Sequence, residues 1–266
     1  MKNASSFFQW KLFVQTLRVF AALMIREMIT RYGRSWGGYI WAIIEPMSVI
    51  LLLTLVFTQI LHSPVYGESF LIFFATGYLP FYFFMSVSSQ VGSGISVNRE
   101  LLQLPIVKPI DVMLARFALA YLTLLVVSAV IFYIAALLMR HGISFDPILL
   151  LFGFTSAAFL GLGVGGLNAF VFAVLPVWRQ IWGVLSAPLM VISGVFYPLD
   201  SLPKHIQDIL VWNPIVHSIG CTRSAFYPSY RGEYIDLIYV LVVSVATFLL
   251  ALYFMLRYRT ILIESR

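Results

Sequence analysis

Long apolar runs separated by short polar islands set the pattern of this chain. The runs cover about 36 to 61, 70 to 91, 111 to 139, 147 to 174, 180 to 197 and 234 to 256. A helix needs about 20 predominantly apolar residues to cross a hydrocarbon core of about 30 Å, so the pattern predicts six transmembrane helices. Two further segments have helical character without that length. Near the start, Trp10, Phe13, Leu17, Phe20 and Met24 recur at three and four residues, with Lys11, Arg18 and Arg26 beside the stripe. A cationic amphipathic helix of this kind lies in the headgroup plane instead of spanning. Between the fifth and sixth runs, Pro198, Pro203, Pro214 and Pro228 break residues 198 to 232 into helical pieces of about a dozen residues. Such pieces are too short to span, and they predict a re-entrant hairpin folded at Asn213-Pro214.

The expected fold is thus an all-α polytopic membrane protein. It has six transmembrane helices, an N-terminal amphipathic interface helix over residues 1–35, and a single six-helix transmembrane domain over residues 36–266. A re-entrant helical hairpin lies between helices 5 and 6. The first 35 residues lack the short apolar core and small-residue cleavage site of a secretory signal, so they are expected to stay on the mature protein.

Composition agrees with the pattern. The chain of 266 residues is 61% hydrophobic and 11% charged, far from the roughly 25% charged usage of soluble domains. The net charge of +6 would suit nucleic acid if the cations were gathered on one soluble face. Instead they sort by topology. With the N-terminus inside, 13 of the 17 Lys and Arg residues fall on the inner side, and only Arg140, Lys204, Arg223 and Arg231 fall outside. By the positive-inside rule both termini are expected in the cytoplasm, and no nucleic acid partner is expected.

The polar island at 92 to 116, GSGISVNRELLQLPIVKPIDVMLAR, then lies on the cytoplasmic side. Within it Asn98, Arg99 and Glu100 lead, Leu101, Leu102 and Leu104 flank Gln103 as an apolar plug, and Pro105 and Pro109 limit how the chain leaves. A short, rigidly joined segment of this composition suits docking onto another protein.

Candidate chemistry is sparse. There is no G-x-x-x-x-G-K-[ST] phosphate loop, no H-E-x-x-H and no G-x-S-x-G, so neither an ATP site of that type nor a catalytic or metal constellation is expected. His62, His141, His205 and His217 form no spaced ligand set, and the single Cys221 excludes an intramolecular disulfide. Gly161, Gly163 and Gly166 match a dinucleotide fingerprint only formally. Inside an apolar run, Gly161 and Gly165 read as a G-x-x-x-G helix contact. Glu45 sits within the first run, where a carboxylate needs a partner, a cavity or an interface. Trp36, Tyr39, Trp41, Tyr82, Trp178 and Trp182 cluster towards helix ends, either as sugar-stacking faces or as the ordinary aromatic belt.

Three blocks in order, REMITRYG with YIWAIIEP, LPIVKPIDVMLAR, and FYPLDSLP with LVWNPIVH, resemble the permease subunit of capsule polysaccharide ABC exporters, in the ABC-2 transporter group. The resemblance covers nearly the whole chain. It implies a homodimer in the bacterial inner membrane, bound to two copies of a separate ATPase that carries ATP and Mg, with no cofactor on this chain. It also implies a periplasmic adaptor, an outer-membrane exporter and a lipid-linked acidic polysaccharide as cargo. By position, Asn98, Arg99, Glu100, Leu101, Leu102, Gln103 and Leu104 become the cytoplasmic coupling helix. Arg26, Arg31 and Arg34 are expected to hold the anionic lipid end of the cargo. Trp36, Tyr39, Trp41, Glu45, Tyr82, Trp178 and Trp182 are expected along its path. A permease for O-antigen or teichoic acid, a membrane-embedded glycan-modifying enzyme and a passive channel are the competing readings.

Overall fold

A computed structural model describes residues 18–30, 37–103, 107–139, 144–230 and 232–258, and Tyr39 by its backbone alone. The described residues form helices and connecting loops, with no strand among them. Residues 18–30 are helical (α1). They are followed by α2 (Gly38–Ile60), α3 (Phe70–Gly92), α4 (Gly94–Val97), α5 (Arg99–Leu102), α6 (Pro109–Leu138) and α7 (Pro147–Val174). Then come α8 (Trp178–Ile192), a 3-10 turn at Leu199–Ser201, α9 (Lys204–Leu210), α10 (Pro214–Phe226) and α11 (Leu237–Arg257).

Helix starts follow local chemistry. The Asp146 carboxylate accepts the N–H groups of Ile148 and Leu149 ahead of α7. Asn213 caps Ile215 ahead of α10, and Asp236 caps Tyr239 ahead of α11. Proline follows the cap directly in α7 and α10, where its missing N–H removes no helical hydrogen bond.

Five helices, α2, α3, α6, α7 and α11, are long and apolar enough to cross a membrane. Their bounds lie within about three residues of the expected runs. The expected fifth span is different: α8 has 15 residues, about 22 Å at 1.5 Å per residue, which is short of a full crossing. The chain after it turns at Ser193 and Gly194 instead of continuing, and Gly194 has φ +79°.

The centre of the bundle is α3, whose apolar residues are mostly buried, packed on α7, α6, α10 and α2. The close approach of α7 depends on its glycines. A Cβ built on Gly161 would stand 2.7 Å from the Phe84 carbonyl oxygen, and one on Gly165 would stand 2.8 Å from that of Ser88. The G-x-x-x-G pair therefore meets α3 as expected. Phe83 and Phe154 stack beside this contact with centroids 4.5 Å apart.

The short helix α10 is buried along nearly its whole length, against α7, α3 and α11, and it carries several polar side chains into that position. Each has a partner. Ser218 pairs with Ser156 at 2.8 Å, Thr222 donates to the Ser218 carbonyl, and Cys221 lies against the Leu149 carbonyl. The His217 Nδ1 accepts the Asp236 N–H at 2.9 Å, so the ring proton sits on Nε2 and points at the Val211 carbonyl. Arg223 is 1% exposed. Its guanidinium donates to the Tyr197 carbonyl at 2.7 Å and the Val195 carbonyl at 2.9 Å, and lies over the Phe73 ring at 4.6 Å. It thereby fastens the turn after α8 to both α10 and α3. At the surface nearby, burial and the Glu233 carboxylate hold the Asp200 carboxyl above its ordinary range, while Arg223 pulls it down.

Four variants test this packing by thermal unfolding of the detergent-purified protein. Gly165→Val is expected to cost about 1–3 kcal/mol through overpacking against α3. Gly183→Ala, inside α8 with nothing within 4 Å of the added methyl, is expected to keep or slightly raise the melting temperature, since Ala is favoured over Gly in a helix interior by about 0.5–1 kcal/mol. Arg223→Ala is expected to destabilise by about 1–3 kcal/mol for each of the two carbonyls it orphans. Arg223→Lys, with a single ammonium that spans the pair less well, is expected to fall between Arg223→Ala and the native protein.

Candidate functional site

The loop after α3 is not a single helix. It consists of the one-turn helices α4 and α5, separated at Asn98, whose backbone (φ −107°, ψ 22°) is not helical. Asn98 is only 1% exposed. Its amide nitrogen donates to Glu27 Oε1 at 2.8 Å and to the Gly94 carbonyl at 3.0 Å, and its amide oxygen accepts from Arg26. Glu27 Oε2 pairs in turn with Arg116 Nη2 at 3.0 Å. Arg116 Nη1 donates to the Gln90 carbonyl at 2.9 Å and to Ser93 Oγ at 3.0 Å. Both members of the ion pair are more than nine-tenths buried or nearly so, at 9% exposure for Glu27 and 8% for Arg116. One connected polar cluster thus joins α1, the end of α3, the loop and the start of α6. Gly94 keeps it compact, because a Cβ there would stand 3.3 Å from Arg116 Cδ. A cavity of about 220 Å³ opens beside it, lined by Glu27, Thr30, Gln90, Ser93, Arg116 and Leu119 among others. On the other side Arg179, at the start of α8, donates to Ser96 Oγ at 3.1 Å.

This arrangement splits the segment expected to couple. Asn98 and Leu102 point into the protein, and Leu101 is half-buried against the core. Arg99 is half-buried, Glu100 and Gln103 are exposed, and Leu104 lies outside the described residues. Val97, at 55% exposure, joins Glu100 and Gln103 on the outward side at a spacing of three. The loop thus has a buried half that anchors it and an exposed half, Val97, Glu100 and Gln103, that faces outward.

The residues expected along a cargo path are distributed over several elements. Arg26 is exposed and bonded to Asn98 at the loop. Arg31, Arg34 and Trp36 lie outside the described residues, as does the Tyr39 side chain. Trp41 is 66% exposed on the outer face of α2. Glu45 is also exposed, on α2. The Tyr78 ring stacks on Tyr82 with centroids 5.8 Å apart. On α8, the Trp178 indole N–H donates to Asn168 Oδ1 at 3.1 Å. Trp182 is half-buried in the wall of a cavity of about 380 Å³ shared with Phe84, Leu160, Pro188 and Ile215. Tyr82 is thus joined to Tyr78 within α3, Trp41 and Glu45 stand on α2, and Trp178 and Trp182 belong to α8.

Glu27, Arg116 and Arg223 received no role from the sequence. For Glu27 a signal existed: it lies seven residues after Phe20 and three after Met24, on the apolar stripe of its helix, where a carboxylate needs a buried cation. Arg116 stands inside the apolar run of α6 and invites the same question. Nothing local marks Arg223, whose partners are main-chain carbonyls 26 and 28 residues away.

Comparison with known proteins adds a family. The chain is 33% identical over 234 residues to the polysialic acid transport protein KpsM of Escherichia coli, covering 87% of this chain and 90% of that protein. It is 28% identical to the capsule polysaccharide export inner-membrane protein BexB of Haemophilus influenzae, over 88% of this chain and 89% of that one. It is 26% identical to the capsule polysaccharide export inner-membrane protein CtrC of Neisseria meningitidis serogroup A, over the same shares. Residues 18–227, from α1 to the end of α10, match the family described as ABC-2 type transporter. With an all-helical bundle, five helices fit to cross a membrane and a match over most of its length, the chain belongs to the ABC-2 type transporter family.

Proposed function

We propose that the protein is the transmembrane permease of an ATP-driven exporter that moves lipid-linked, acidic capsular polysaccharide across the bacterial inner membrane. The observation that carries this reading is the end-to-end similarity to KpsM, a protein named for polysialic acid transport, at 33% identity over nine-tenths of that protein. BexB and CtrC, named for capsule export, support the same cargo class. Without a phosphate loop of its own, the chain takes its energy from a separate ATPase that binds ATP and Mg. Two permease copies pair and engage two ATPase copies. A periplasmic adaptor and an outer-membrane exporter continue the route.

In this reading both termini and the loop containing α4 and α5 are cytoplasmic, and α1 is the interface helix. The sixth crossing is made by α8, too short to span alone, together with the turn that follows it, and α9 and α10 form a hairpin within the outer leaflet. The level of the hairpin is supported by its neighbours. Ile215, at the start of α10, shares a cavity with Phe84 and Leu160 from the middle of α3 and α7. Phe226, at its end, stacks on Phe145 just before α7 begins. The exposed side of the loop, Val97, Glu100 and Gln103, docks on the ATPase. Arg26, Arg31 and Arg34 meet the anionic lipid end of the cargo, and Trp36, Tyr39, Trp41, Glu45, Tyr82, Trp178 and Trp182 line the path beyond.

The docking surface is tested by the double variant Val97→Asp with Glu100→Lys, whose side chains are exposed and whose effect on folding is expected to be small. The permease is expected in the membrane at its normal level. The ATPase is expected to be lost on co-purification, surface polysaccharide to fall by about tenfold or more, and polysaccharide to collect inside the cell. Retained ATPase together with normal surface polysaccharide would overturn the assignment of this surface.

A further inference from the structure

We infer that the buried Glu27–Arg116 ion pair, with Asn98, is a positioning device that fastens the docking loop to the interface helix, so that α1, α4 and the start of α6 move as one body. This rests on the reading of that loop as the ATPase contact. A loop held only by its own chain would transmit a push to α3 and α6 alone, since those are its covalent neighbours. Here the non-helical break between α4 and α5 falls at Asn98, where a free joint would let the two turns flex. The Asn98 side chain removes that freedom by bonding to Arg26 and Glu27 of α1 and to the Gly94 carbonyl.

Glu27 completes the clasp by pairing with Arg116 at 3.0 Å, and Arg116 ties α6 back to the end of α3 through Gln90 and Ser93. Burial makes the arrangement all-or-none. Separating a carboxylate from a guanidinium at this depth leaves each unpaired, so the pair resists being pulled apart. A push on the exposed side of the loop is therefore delivered to α1 and α6 together. The Arg179 bond to Ser96 carries it on to α8, a helix with no buried residue of its own.

The experiment compares Glu27→Arg, Arg116→Glu, the double exchange and Glu27→Gln in the permease co-purified with its ATPase and reconstituted. Four quantities are read: permease in the membrane, ATPase bound, ATP hydrolysed, and polysaccharide exported per ATP. Each single reversal is expected to keep the ATPase and its hydrolysis while export per ATP falls by about tenfold. The double exchange is expected to recover most of that loss. Glu27→Gln, which keeps the bond to Asn98 and removes only the charge, is expected to lie between.

Native export per ATP in both reversals overturns the inference, as does an exchange no better than its parents. Loss of the bound ATPase from the reversals and the exchange also overturns it, in favour of a role in docking itself. Should either reversal fail to reach the membrane, Glu27→Gln decides. A reduced ratio with the ATPase bound supports the clasp, and a native ratio overturns it. Failure of the docking reading is scored separately, by ATPase that stays bound to the Val97→Asp, Glu100→Lys variant.

Discussion

Inside hydrocarbon no water reaches an unpaired N–H, C=O or charge, and each such group costs several kcal/mol, so a membrane protein must satisfy its polar groups from within. The buried polar side chains of this chain are placed by that constraint. Tyr121 pairs with Thr155 across α6 and α7 at 2.6 Å, and Ser156 with Ser218 across α7 and α10. The two most demanding groups, Arg116 and Arg223, are handled differently. Arg116 has a carboxylate partner in Glu27. Arg223 is held by two main-chain carbonyls and an aromatic face. In each case the guanidinium fork reaches elements that are distant in sequence, which a single ammonium does less well.

The same constraint divides the molecule into a tightly held part and a loosely held one. Because lipid is as apolar as leucine, helix association in a membrane depends on close contact and hydrogen bonds. The glycines of α7 allow that contact on two sides, Gly161 and Gly165 against α3 and Gly163 and Gly166 against Ser244, Thr247 and Ala251 of α11, so α3, α7, α10 and α11 form one packed unit. Outside that unit α2 presents a broad apolar face outward, with Leu52, Leu55 and Ile60 on it. The extreme case is α8. It is tethered near its ends, by Trp178 to Asn168, Arg179 to Ser96, and Ser193 to Asn213, with little packing between. A transporter needs a rigid frame and a wall that can shift against it, and the distribution of contacts supplies both.

Five of the six expected spans, in order and within about three residues of their limits, were legible in the sequence, while the run at 180 to 197 holds the 15-residue α8. About 20 apolar residues suffice to identify a span, whatever surrounds it. Family membership was legible in the blocks around REMITRYG, LPIVKPIDVMLAR and LVWNPIVH for the same reason, since each is a local string. The loop at 92 to 116 was marked by its charge, and Glu100 and Gln103 are indeed exposed there. Of the expected helix from Asn98 to Leu104, Arg99–Leu102 are helical and Asn98 is their N-cap, while Leu104 lies outside the described residues.

What the sequence determined by itself was periodicity and hydropathy, each of which depends on residues a few positions apart. What only the tertiary structure decided was partnership. Glu27 is 89 positions from Arg116 and 71 from Asn98, and Arg223 binds carbonyls that any residue type would offer. The length of α8 was likewise decided by tertiary contacts, since an apolar run of adequate composition ends where the turn at Ser193 is captured by Asn213 and the following carbonyls by Arg223. Local pattern reports which segments must leave water. Which of their polar groups meet is set by how the helices cross, and that is a property of the packed bundle alone.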